Sequence, residues 1–136
     1  MDTKRFILGT VVSGVVLFVG GYLVFGLLLA DFFAGNAGSA TGVARDPMLY
    51  WAIALGCLGE AALISHLLGA NGGAGAGARA GGIVGFLLWL SADFVLYGTQ
   101  NVSNLTATVV DPLVSAVVAA VAGAVAGAVV GKARQA

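Results

Sequence analysis

Four apolar stretches, at about Phe6–Ala30, Leu49–Gly69, Gly81–Gly98 and Pro112–Gly131, take up most of this 136-residue chain. Each is close to the ~20 residues that cross ~30 Å of hydrocarbon as a helix. In lipid a backbone must satisfy its own polar groups, so segments of this kind can only be helices. The sequence therefore predicts a single domain over residues 1–136, an all-α integral membrane bundle of four transmembrane helices. Only 9% of the residues are charged, against roughly 25% in a soluble domain. A net charge of zero argues against binding to polyanions, so nucleic acid is not an expected partner.

The few charges carry topological information. Lys4, Arg5, Arg79, Lys132 and Arg134 fall on one side of a four-span chain, and Arg45 alone falls on the other. The positive-inside rule then places both termini in the cytoplasm and the 31–48 and 99–111 segments outside. A signal peptide has an apolar region of only ~7–15 residues, whereas the first stretch runs from Phe6 to Ala30, so it reads as a retained span. Tyr50 and Trp51, after the Arg45-Asp46-Pro47 turn, suit an interfacial aromatic belt. Cys57 is the one cysteine and reads as a small packing residue. Asn71–Ala80 (NGGAGAGARA) reads as a short cytoplasmic loop; it lacks the Gly-Lys-Ser/Thr ending of a phosphate-binding P-loop. The sequons at Asn101 and Asn104 are read as chance triplets in a polar loop rather than as glycosylation sites.

Span four has the clearest packing signal. Asp111 is expected to cap its N-terminus with Pro112 in the first turn. Gly123, Gly127 and Gly131 then recur every fourth residue, a small face suited to close helix contact in lipid. That face fits either an oligomer interface or packing against spans one or two, where Gly9, Gly14, Gly20 and Gly21 supply small partners.

Two acids fall inside spans. Glu60 is near the middle of span two, and an ionisable group at that depth faces a bundle interior or water. Asp93 is in span three. If that helix runs on past Gly98, Asp93, Tyr97 and Asn101 form a polar seam at helical spacing, with Trp89 four residues earlier. Opposite it, Tyr50, Ile53, Cys57 and Glu60 share a side of span two, and Gly56 leaves room there. Glu60 and Asp93 would then bracket an outward-opening pocket. They act either as a proton- or cation-linked site or as structural groups hydrogen-bonded to Tyr22, Tyr97, Trp89 or backbone carbonyls. His66 is near the cytoplasmic end of span two, where a water-facing role outweighs axial ligation of a haem or pigment. No set of residues has metal-ligand spacing, no nucleophile has a base in reach, and no cofactor is expected.

The runs FILGTVVSG (Phe6–Gly14), ARAGGIVGF (Ala78–Phe86), SADFVLYGTQN (Ser91–Asn101) and VVDPLV (Val109–Val114) resemble a family of small four-span bacterial integral membrane proteins recorded only as uncharacterised. The resemblance implies four helices, a bacterial inner-membrane location and interest in Asp93 and Asp111; it supplies no activity. The expected role is non-catalytic: an accessory or scaffolding subunit of a larger membrane assembly, with the bilayer and other helices as partners, in a homo-oligomer or a larger complex. The alternative is a small oligomeric transporter or channel-like protein using the carboxylates.

Overall fold

The computed structural model describes residues 2–69 and 72–133. Five α-helices follow one another: α1 (Thr3–Gly21), α2 (Ala30–Gly35), α3 (Tyr50–Leu68), α4 (Ala74–Thr99) and α5 (Leu105–Lys132). A π-helical stretch, Tyr22–Leu28, continues α1 without a break. Four of these units, Thr3–Leu28, α3, α4 and α5, are long and apolar enough to cross a membrane. The chain is a multi-pass membrane protein built as a four-helix bundle. Each span packs on the next, and α5 returns to α1, closing the ring.

The closest approach is between α4 and α5, and it uses glycine on both sides. A Cβ on Gly77 would collide with the carbonyl of Gly123, and one on Gly81 with that of Ala119. In the other direction, Gly127 meets Gly73 and Gly123 meets Gly77. At one end the Gly73 amide donates directly to the Gly127 carbonyl at 2.8 Å. In lipid there is little hydrophobic drive between helices, so packing of this closeness is a main source of cohesion.

This arrangement corrects two sequence expectations. The NGGAGAGARA segment is not a loop beyond Gly73, because α4 starts at Ala74 and its glycines form one side of the seam. Glycine is common in membrane helices because neighbouring packing offsets its poor helix propensity. Gly123 and Gly127 accordingly meet span three of the same chain, not spans one or two, and Gly131 lies beside Gly72 and Gly73. Asn71 and Arg134, which entered the loop and orientation readings, lie outside the described residues.

The start of α5 is a further correction. Asn104, not Asp111, caps the helix: its Oδ1 accepts from the Ala107 amide at 3.0 Å. Thr108 bonds back to the Asn104 carbonyl, which lets this polar stretch be helical. Pro112 is therefore interior to the helix and almost fully buried, and its missing N–H leaves the Thr108 carbonyl without its usual helical donor. The two connections at that end are stitched together. Asn104 donates to Asn36 Oδ1 at 2.9 Å, its amide to the Asn36 carbonyl at 3.0 Å, and Asn101 binds Ser39. Both sequon side chains are thus engaged within the protein.

Substituting the seam is expected to disrupt the bundle, while glycines facing open space are expected to tolerate the same change. Gly123→Leu should cost at least the ~1–3 kcal/mol of an overpacked core, because the obstacle is backbone. Gly59→Leu, with nothing within 4 Å of its Cβ position, should stay within about 0.5 kcal/mol of the parent. Thermal unfolding in mild detergent, followed by circular dichroism, checks both.

Candidate functional site

α1 and α3 touch closely near the N-terminal end of the bundle, at Gly9 with Ser65 and at Gly14 with Leu58 and Ala61. Beyond Leu17 they part, and the space between holds a cleft of about 380 Å³. Its walls come from Phe18 in α1, Tyr22, Phe25 and Gly26 in the π-helical stretch, and Tyr50, Ile53 and Cys57 in α3. Trp89 of α4 and Ser115 and Val118 of α5 complete it, with Met48 at the mouth. Tyr22, Tyr50 and Ile53 are each about half exposed, so the space is a cleft open to the surface, not a closed void.

Glu60 lines this cleft. It is ten residues from the start of α3, about 15 Å along the axis. Although only 8% of it is exposed, its carboxylate is half satisfied. Oε2 accepts from the Trp89 indole N–H at 3.3 Å, and Oε1, also buried, has no partner. Burying such an atom without a partner costs about 1–3 kcal/mol.

The π-helical stretch builds the opposite wall. An extra residue per turn widens the helix, and such segments are concentrated at functional sites. Here it brings Tyr22 and Phe25 into the cleft. The Tyr22 ring lies over Gly26, 3.2 Å from where a Cβ would be, so glycine is what allows the ring this position. Phe25 is braced from behind by Phe33 of α2, with ring centroids 5.4 Å apart.

A polar trail leads from the cleft into α4 and α5. Ser115, on the cleft wall, donates to Asp111 Oδ1 at 2.9 Å. In the register that sets Gly85 against Ser115, Asp93 falls about one helical turn beyond the level of Asp111, and its Oδ2 is buried without a partner.

The sequence-predicted residues thus divide. Tyr50, Ile53, Cys57 and Glu60 do share the cleft, and Trp89 is the Glu60 partner. Asp93 is not among the residues that line the Glu60 cleft; α4 packs its length against α5, which sets Asp93 about one turn from the level of Asp111. The seam through Tyr97 and Asn101 does not form. α4 ends at Thr99, whose hydroxyl bonds back to Val95, and Gln100 is extended, so Asn101 leaves the helical register. Tyr97 is 43% exposed, and Asn101 is exposed in the connection. Gly56 faces open space and makes no room for Glu60. His66 is exposed near Thr3, Phe6 and Gly69, and no metal-holding cluster exists among the described residues. Sequence reading missed Ser115, Asp111 as a trail member, and Phe18 and Phe25 as walls. The i, i+4 spacing of Asp111 and Ser115 was the available signal for the first pair.

Comparison with protein-family models, with curated proteins and with solved structures returns no match in any of the three.

If Glu60 is retained for chemistry and not for cohesion, removing its charge should strengthen the fold. Glu60→Leu is expected to stabilise the protein by about 1–3 kcal/mol, relieving the orphaned oxygen. Trp89→Phe, which orphans the second oxygen as well, is expected to destabilise it by a similar amount. Unfolding by denaturant in detergent micelles separates the two outcomes.

Proposed function

We propose that this protein is a small multi-pass membrane carrier in which Glu60 exchanges a proton for a ligand held in the α1–α3 cleft. One observation carries the reading: a carboxylate in the middle of a span that lines an open cleft, with one oxygen held by Trp89 and the other buried without a partner. A group that alternates between protonated and ion-paired states needs one acceptor free for the incoming partner. It also needs a fixed donor that keeps the other oxygen in place.

Ser115 lines the same cleft as Glu60 and donates to Asp111, which supports a proton route from the cleft toward the bundle end that carries the two connections. Short side chains that both donate and accept pass protons without moving far. The role proposed for the carboxylate is binding and proton exchange. The basic residues favour a placement with both termini in the cytoplasm, the cleft then lying in the outer half. Because the α4–α5 seam is closed by backbone contact, a complete path across the membrane calls for more than one copy.

The accessory-subunit reading drew on the glycine face of span four as an interface for other chains. Gly123 and Gly127 are occupied by α4 of the same chain, which removes that argument.

Glu60 is the one glutamate in the sequence, so labelling glutamate side chains with ¹³C isolates a single carboxyl signal. In liposomes that signal is expected to titrate with bulk pH. Asp111→Asn is expected to slow its proton exchange at least about threefold, without unfolding the bundle. A carboxyl signal unmoved from acidic to alkaline pH would show a sealed structural group and end the proposal.

A further inference from the structure

The geometry points to a ligand class for the cleft: we infer that it takes a lipophilic organic monocation, an aliphatic or aromatic ammonium or its phosphonium equivalent, entering sideways from the bilayer. This rests on Glu60 as the exchange site.

The argument begins with charge. Among the described residues lining the cleft, Glu60 is the single acid, and no lysine, arginine or histidine is present. A carboxylate in apolar surroundings is costly to ionise without a counter-charge, so an occupant that draws it into the ionised form must be positive. The charge must also be spread or singular. An inorganic divalent ion requires six or more oxygen ligands for calcium, or a near-octahedral set for magnesium. The cleft offers one free carboxylate oxygen and a serine already committed to Asp111.

The rest of the wall suits the body of such a cation. Phe18, Tyr22, Phe25, Tyr50 and Trp89 line the cleft together with the one acid. Aromatic faces attract a cation through the ring quadrupole, by ~0.5–1 kcal/mol where exposed and ~2 or more where desolvated. Rings around a carboxylate therefore recognise charge and apolar bulk in the same molecule. A volume of about 380 Å³ lies within the ~300–1,000 Å³ of small-molecule sites. Two of the rings are held in place, Tyr22 over Gly26 and Phe25 against Phe33, so the wall is formed before the ligand arrives.

The exchange balances in atoms and charge. With the cleft empty, Glu60 carries its proton and the site is neutral. On binding, the carboxyl O–H bond breaks and the proton leaves for water through Ser115 and Asp111. The carboxylate then pairs with the cation, and the site is neutral again. Keeping zero net charge in both states is what makes the cycle affordable at that depth.

Tetraphenylphosphonium is a suitable probe, because it is a lipophilic cation with no proton of its own. Triphenylphosphine oxide is its neutral counterpart. With full-length protein in nanodiscs, at a pH on the acid side of the Glu60 titration, saturable binding of the cation is expected. The ¹³C signal of Glu60 should move to its ionised position, with about one proton released per cation bound. Glu60→Gln should weaken cation binding at least about tenfold and leave the neutral compound unaffected. Glu60→Asp, which keeps the charge, should retain part of the affinity and guards against a variant that merely misfolds. Phe18→Leu should weaken the cation several-fold through the lost ring face. Equal binding of both compounds, or a cation affinity that Glu60→Gln does not change, would overturn the assignment and leave the cleft as a groove for acyl chains. If Glu60 titrates with pH but no cation binds, the ligand class is wrong and the exchange site stands. If the Glu60 signal responds to neither, both fall.

Discussion

The α4–α5 seam is the contact from which the rest of the architecture follows. Within it, the backbone of Gly77 meets that of Gly123, and Gly81 meets Ala119, at distances that admit no side chain. Such contact gives dispersion along several turns, and in lipid no competing hydrophobic drive exists to replace it. It also sets register. Steps of four residues on each helix pair Gly73 with Gly127 and Gly85 with Ser115, and one further step brings Trp89 level with Asp111. The position of the Trp89 indole, and so of Glu60, is inherited from that alignment. A slip of one turn would separate the donor from its acid.

What the seam closes, the other side of the bundle leaves open. α1 is tightly joined to α3 near its N-terminal end, through Gly9 and Gly14, and to α5 through Gly20. Past that point the π-helical stretch carries bulky rings where the first half carried glycine and serine. Large residues hold the helices apart, and the cleft is the result. The same span therefore cements one end of the bundle and opens the other, by a change in side-chain size along its length. The two connections at the open end are tied by Asn36, Asn101 and Asn104, which keeps that end from splaying.

Glu60 is where cohesion and chemistry part company. An ionisable residue in the middle of a span is expensive, and full hydrogen bonding would reduce the expense. The structure supplies one donor, Trp89, and leaves the second oxygen buried without a partner. Asp111 shows the contrasting treatment. Its Oδ1 is satisfied locally by Ser115, and the α4–α5 register sets it about one turn from the level of Asp93.

Much of this was legible before any coordinates. Hydropathy alone marks four spans, since crossing a bilayer demands a length of apolar residues and nothing subtler. It also marks Glu60 as exceptional, and the periodicity of α3 correctly gathers Tyr50, Ile53, Cys57 and Glu60 on one side. Helix limits were harder. Residues 74–80 read as a breaker and 105–111 as a polar loop, because local composition is judged against water. In the protein, Gly77 is stabilised by a partner helix and Thr108 by its own back-bond to Asn104. The sequence by itself determined how many times the chain crosses and which polar groups must go with it. Only the tertiary structure decided which glycine faces meet, that Asp93 falls about one turn from the level of Asp111, and that Glu60 opens on a ring-lined cleft. Those are facts about pairs of helices, and a pattern along one helix specifies a face without specifying what lies against it.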